Sequence, residues 1–234
     1  MSERGVFVAI EGGDGSGKAT QNEILSRHLS SRIGERVLQT TFPRYGESSA
    51  YYAEQYLNGK YGSVDDVSAD LATLAFAMDR YVGSAEIEAH LASGPDAVVF
   101  SDRYVGSNLA HQATKFSDEA ARKAYYERTM NLEYDILGIP RPDVNIVLLV
   151  PTDLAQANVD KKAARSYTEK KRDIHEADAS HLDRAKLNYE ELCRLYPEEF
   201  TPIVCTDEHG NLRTIEDIQM EIRVKINQTT RLEL

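Results

Sequence analysis

Residues 6–20 read Val6-Phe7-Val8-Ala9-Ile10-Glu11-Gly12-Gly13-Asp14-Gly15-Ser16-Gly17-Lys18-Ala19-Thr20. A run of five apolar residues, Val6 to Ile10, gives way to glycines, and a helix-like stretch from Lys18 to Ser31 follows with Ile24, Leu25 and Leu29 on one side. A strand, a glycine-rich turn and a helix, in that order, are the context in which the spacing G-x-x-x-x-G-K forms a phosphate-binding loop. Glycines let the backbone come close to oxygen atoms. Successive N–H groups then converge as an anion nest, and the helix start adds its positive dipole end. Lys18 supplies a mobile ammonium to the terminal phosphates of a nucleotide. The expected nucleotide-binding segment is therefore Gly12, Gly13, Asp14, Gly15, Ser16, Gly17, Lys18, Ala19 and Thr20. In this motif a Ser or Thr directly after the lysine holds Mg²⁺. Here Ala19 stands there, and Thr20 comes one residue later, about 100° further round a helix. Either water takes that coordination position or the metal leans on other groups.

Working outward, four more short β-like runs follow: Arg36 to Phe42, Ala97 to Phe100, Ile146 to Val150 and Ile203 to Cys205. Between them lie helical stretches at Ala69 to Leu91, Phe116 to Leu137, Thr152 to about Lys162, Ala179 to Tyr196 and Thr214 to Ile226. In the first of these, apolar residues recur at Leu71, Leu74, Ala75, Met78 and Val82. Short continuous apolar runs fit strands covered on both faces, and helices between them imply right-handed βαβ units. The expectation is an α/β chain with a parallel sheet.

No Pro/Gly/Ser-rich linker divides the 234 residues, so one domain over 1–234 with a small insertion is expected. The balance of 27 Lys+Arg against 38 Asp+Glu, net −11, argues against nucleic-acid or anionic-membrane partners, which are bound by neutralising their charge. Two cysteines without metal-ligand spacing fit a reducing, cytoplasmic setting. The amino-terminal apolar run is too short for a signal peptide, and no run approaches the roughly 20 residues that span a bilayer. Against this acidic background, residues 161–173 form a cationic island with Lys161, Lys162, Arg165, Lys170, Lys171 and Arg172.

A phosphate loop names the donor and not the reaction. Asp102 and Arg103 directly follow the third strand-like run, and Arg44 follows the second. They therefore stand at the carboxyl edge of the sheet, where ligands of open α/β folds bind. An Asp there can hold Mg²⁺ or its water, and an Arg can clamp phosphate with a planar fork. Phe76 and Arg80 are four residues apart and share a helix face, so an aromatic plane and a guanidinium can meet one base.

The order EGGDGSGKAT, FPRYG, LAFAMDRY, DRYVGSNLAHQ, LGIPRPD, LLVPTDLA, RDIHEAD and YEELCRLYP resembles the thymidylate kinases, a family of P-loop nucleoside monophosphate kinases, along nearly the whole chain. The resemblance implies a P-loop kinase fold with a five-stranded parallel sheet flanked by helices, a small lid at about residues 160–178, and a homodimer packed through helices. It implies transfer of the γ-phosphoryl of ATP to dTMP, with Mg²⁺. Carried over by position, Lys18 and the Gly12–Gly17 backbone hold the ATP phosphates, and Asp14 faces the acceptor's 3′-hydroxyl and phosphate. Arg44 and Arg103 hold the dTMP phosphate, Phe76 stacks on thymine, and Arg80 bonds an exocyclic oxygen. Asp102 organises Mg²⁺ and water, while Ser107, Asn108 and Gln112 match the stretch that reads the base edge. Gly15 stands where some relatives carry a catalytic arginine, which makes the lid residues Arg165 and Arg172 the candidates for that work. Two other functions stay open: the same chemistry on another nucleoside monophosphate or a deoxynucleoside, and a non-catalytic ATP-binding regulator.

Overall fold

The computed structural model describes residues 4–165, 175 and 179–234, with the backbone alone at 160–165 and 179. Five strands alternate with eight helices among the described residues. They are β1 (Val6–Gly12), α1 (Lys18–Ile33), β2 (Val37–Thr41), α2 (Tyr51–Leu57), α3 (Ala69–Ala92), β3 (Val98–Asp102), α4 (Val105–Gln112) and α5 (Glu119–Met130). After these come β4 (Val144–Leu149), α6 (Thr152–Arg165), α7 (Ala179–Leu195), β5 (Phe200–Val204) and α8 (Ile215–Thr229). The strands form one sheet in the order β2-β3-β1-β4-β5, and every pairing is parallel.

Successive residues of a strand point to opposite faces, and here both faces are covered. Phe7, Val99 and Val147 pack on one side with Tyr104, Leu109, Tyr125, Tyr189 and Leu192. Val8, Ile10, Phe100, Ile146 and Leu148 pack on the other with Leu25 and Leu29 of α1 and Ile218, Ile222 and Ile226 of α8. That double burial is why β1 and β4 read as unbroken apolar runs. β2 lies at the edge and is only partly buried, and its sequence is correspondingly mixed. Thr214 caps α8 by accepting from the Asp217 N–H at 3.1 Å, as its position before Glu216 and Asp217 predicts.

Three features depart from the sequence pattern. Helices α2 and α4 were not marked by any apolar stripe. α4 is buried on nearly all sides, so it has no solvent face to set up a period. The stretch expected as helix from Phe116 to Leu137 is α5 followed by a π-helical segment, Asn131–Ile136. On α3 the apolar repeat faces outward: Leu71, Leu74, Met78 and Val82 are all exposed, with Leu71 at 62%. Its inward face instead carries Ala72, Ala77, Arg80, Gly83, Ile87 and Leu91.

The register places the functional edge. Ile10 of β1 is level with Asp102 of β3, and Thr41 of β2 is level with Asp102 as well. The turns after these three strands therefore leave the sheet side by side. β1 is also where the connections change direction, with β2 and β3 on one side and β4 and β5 on the other, which is the switch point where such folds bind ligands.

Candidate active site

The phosphate loop is shaped by its glycines. Gly12 has φ +139°, and a Cβ there would lie 2.7 Å from the carbonyl oxygen of Leu148. Gly15 has φ +77°, and a Cβ there would collide with the carbonyl oxygen of Ala155 in α6. A larger residue at the Gly15 position is therefore sterically closed to this backbone. Lys18 opens α1 and is buried, its ammonium donating to the Gly13 carbonyl at 2.7 Å. Burial, with Arg103 nearby, pushes its pKa down to about 8, although Asp14, Asp102 and Glu11 pull the other way. The side chain of Asn158 ties the loop to α6 by donating to the Gly15 carbonyl at 3.0 Å. Ala19 and Thr20 are exposed, so Thr20 does not replace the missing hydroxyl.

Arg103 has φ +67°, a left-handed conformation that costs a non-glycine residue of order 1 kcal/mol. Its N–H donates to the Ile10 carbonyl at 3.0 Å, and its carbonyl accepts from Ser101 Oγ at 2.6 Å. The guanidinium forms an ion pair with Asp14 and donates to Ser107 Oγ at 3.1 Å. Arg103 thus bridges the phosphate loop and α4. For Asp14, burial opposes ionisation, but Arg103 and Lys18 outweigh it and hold the carboxyl well below the usual range.

Beside this bridge is a cavity of about 250 Å³. Asp14, Phe76, Arg80, Asp102, Arg103, Ser107, Asn108 and Gln112 all reach its wall. The structure therefore gathers eight sequence-predicted residues from the loop, α3, β3 and α4. Arg80 is 2% exposed and pairs in a two-pronged contact with Glu133, which is fully buried, at 2.5 and 2.6 Å. Asn108 Nδ2 donates to Glu133 as well, at 3.2 Å. Gln112 Oε1 accepts from Tyr56 OH at 3.3 Å.

Arg44 stands apart. Its backbone N–H donates to Asp79 at 2.7 Å, its Nε to the same carboxylate at 3.0 Å, and its Nη2 to Ser49 Oγ at 2.8 Å. Its neighbours Phe42, Pro43 and Tyr45 reach the cavity wall. Of the expected lid residues, Arg165 falls within the backbone of α6, and Arg172 lies outside the described residues.

Several site residues carried no motif. Glu11 is buried at the end of β1, accepting from the Tyr104 N–H at 2.8 Å, Ser107 Oγ at 2.6 Å and Tyr189 OH at 3.3 Å. Burial raises its pKa. The usable signal was a charge inside a strand covered on both faces, since buried charges are paired. Asp79, Glu133, His111 and His175 belong here too, and only tertiary contacts reveal them.

A sequence profile of the family described as thymidylate kinase matches residues 10–214. The thymidylate kinase of Mycobacterium tuberculosis is 37% identical over 188 residues, covering 80% of this chain and 85% of the relative. A putative thymidylate kinase of Aeropyrum pernix is 27% identical over 226 residues, covering 94% of this chain and 95% of the relative. The solved thymidylate kinase of Candida albicans superposes with a TM-score of 0.67 at 22% identity, covering 97% of this chain and 93% of that one. That last likeness concerns the fold. Profile and relatives agree on one conclusion: the chain belongs to the thymidylate kinase family.

Proposed function

We propose that this chain transfers the γ-phosphoryl of ATP to dTMP, giving ADP and dTDP. The observation that carries the reading is the Arg103 bridge, which joins the phosphate loop through Asp14 to the acceptor cavity through Ser107. Donor and acceptor phosphates then meet at one guanidinium. Family membership and the M. tuberculosis relative support the choice of acceptor.

The acceptor phosphate is already ionised at neutral pH, so no general base is required. Catalysis is alignment of two anions and neutralisation of their charge. Lys18 and the Gly12–Gly17 amides hold the donor, and Arg103 orients the acceptor phosphate. Phe76 and Arg80 meet the thymine, with Asn108 and Gln112 along its edge, and Asp14 faces the sugar. Arg44, held beside the cavity by Asp79, is the second cation for the acceptor phosphate. Arg165 and Arg172, in a lid at about 160–178 of a single domain, are the candidates to meet the transferred group. Closure there would limit wasteful hydrolysis by excluding water.

Mg²⁺ fits the residues present. Asp102 Oδ1 and Ser16 Oγ are buried polar oxygens with no hydrogen-bond partner among the described residues, and hard oxygens are what Mg²⁺ takes alongside substrate phosphates. Asp102 would hold the ion or its water, and the ion when bound would offset phosphate charge. A homodimer through the outward apolar face of α3, and a cytoplasmic setting, complete the reading. No described helix is long and apolar enough to cross a membrane.

The test is an ADP-release assay with ATP and Mg²⁺ against dTMP, dUMP, dCMP, dGMP and thymidine. Highest kcat/KM with dTMP supports the reading. A preference for another acceptor changes the substrate, and ATP binding without transfer to any acceptor makes the chain a nucleotide-binding regulator.

A further inference from the structure

Glu11 is fully buried at the end of β1. Its side chain turns to the face of the sheet that Phe7 and Ala9 share with α4, as alternation along the strand requires. Its hydrogen-bond partners are neutral donors: the Tyr104 N–H at 2.8 Å on one carboxylate oxygen, and Ser107 Oγ at 2.6 Å and Tyr189 OH at 3.3 Å on the other. Tyr104 precedes α4 and gives it no side-chain cap. The Glu11 carboxylate takes that place, where the first N–H groups of a helix lack partners and a negative charge is favoured. A Cβ at Gly106 would lie 2.9 Å from the carboxyl carbon of Glu11, so glycine there lets the first turn of α4 close over the carboxylate. Packing alone gives no reason to bury a charge at this point, since an apolar side chain would fill it at lower cost.

The bonds of Glu11 converge on Arg103. Both peptide N–H groups that flank Arg103 are held by β1: its own by the Ile10 carbonyl at 3.0 Å, and the next, that of Tyr104, by Glu11. These two bonds fix the left-handed turn at φ +67°. The guanidinium is reached through Ser107. A serine hydroxyl has one proton and two lone pairs. The proton lies on the 2.6 Å line to Glu11, so the lone pairs face Nη1 of Arg103 and the Tyr189 hydroxyl, each at 3.1 Å. Nη1 also reaches the Gly12 carbonyl at 3.3 Å. One carboxylate thus governs both the backbone and the head of the same arginine, from the strand that feeds the phosphate loop.

We propose that Glu11 is the positioning residue for Arg103, fixing its backbone through Tyr104 and aiming its guanidinium through Ser107. Asp14 holds the other side of the guanidinium, at Nη2. When a phosphate takes Nη2 from Asp14, Nη1 stays on Ser107, so the arginine keeps its aim through the exchange. The catalytic benefit rests on the reading that Arg103 receives the acceptor phosphate; the aiming itself does not.

The test separates the two. In the ¹⁵N-labelled, nucleotide-free full chain, the guanidinium protons of Arg103, assigned by their loss in Arg103→Lys, are resolved and exchange slowly. Glu11→Gln keeps the shape but must point an amide N–H at Tyr104 or Ser107, and Ser107→Ala removes the relay alone. In each variant the Arg103 signals merge or exchange away. With whichever acceptor the parent uses, Glu11→Gln lowers kcat about 10–100-fold, and it adds little in an Arg103→Ala background because the two residues act as a unit. Far-UV circular dichroism checks that each variant folds, and Ser107→Ala decides the matter if Glu11→Gln does not fold. Arg103 signals already averaged in the parent, signals unchanged in a folded variant, or a Glu11→Gln loss that adds in full to that of Arg103→Ala overturn the positioning. Altered signals together with a kcat untouched by Arg103→Ala support the positioning and overturn instead the assignment of Arg103 to the acceptor phosphate.

Discussion

The buried pair Arg80–Glu133 allows the sharpest test of how the acceptor cavity is built. Arg80 is 2% exposed and Glu133 fully buried, and both prongs of the guanidinium are filled by the carboxylate. Arg80→Met strands a buried carboxylate, and Glu133→Leu strands a buried guanidinium and removes an acceptor from Asn108. Breaking such a pair from one side costs about 3–5 kcal/mol. A chain of this length loses about 2–4 °C of melting temperature per kcal/mol, so each single variant melts about 6–20 °C lower. Replacing both together leaves no uncompensated charge, so Arg80→Met/Glu133→Leu is destabilised by much less than the sum of the two. The assay is calorimetric melting of parent, singles and double at one pH, with KM for dTMP and ATP measured alongside. The double variant recovers stability but keeps a raised KM for dTMP, because Arg80 still no longer lines the cavity. Singles within about 1 kcal/mol of the parent, or a double equal to the sum of the singles, would refute the reasoning, since contacting residues couple by about 0.5–3 kcal/mol or more.

Other outcomes follow from the same geometry. Lys18 has a folded pKa near 8, below the ordinary lysine value, so at pH 8 ATP binding restores about half a proton per chain, read by calorimetry in buffers of different ionisation enthalpy; no uptake would contradict the burial assigned to it. By the same sign, the unfolded chain holds that proton more tightly between about pH 8 and 10. Lys18→Met in the nucleotide-free protein therefore melts above the parent at pH 7, and the gap closes as pH rises through that window. Arg103→Ala lowers kcat by about 100-fold or more while leaving ATP affinity nearly intact, and normal ADP release would remove Arg103 from the mechanism. Arg165→Ala and Arg172→Ala lower kcat more than they raise the dTMP dissociation constant, because their charge is needed most in the transition state. Met78→Asp on the outward face of α3 converts a dimer to a monomer in sedimentation analysis, and an unchanged sedimentation coefficient would rule out that face.

Much of this fold was legible because the information was local. The loop from Gly12 to Lys18 announced a strand, a turn and a helix, and Asp102–Arg103 could be placed because they abut an apolar run. What was not legible depends on distance along the chain. Arg44 could be placed at the sheet edge, but not its partner Asp79, 35 residues away. Glu133 neutralises Arg80 from 53 residues away, and no periodicity links the two. Helix α4 carries Ser107, Asn108 and Gln112 but is too enclosed to show a stripe. The outward repeat on α3 looked like any core-facing stripe, because periodicity reports a face and not what covers it.

On the proposed reading, in which Arg103 receives the acceptor phosphate, its salt link with Asp14 is an internal stand-in for that substrate. An arriving phosphate does not fall into bare positive potential; it must compete with a carboxylate already in residence. Singly charged anions such as chloride are poor competitors, whereas a dianionic phosphate ester can outbid one carboxylate, so the exchange filters ions by charge. It also keeps the guanidinium aimed between turnovers, so that what the incoming nucleotide rearranges is a partnership and not a scaffold.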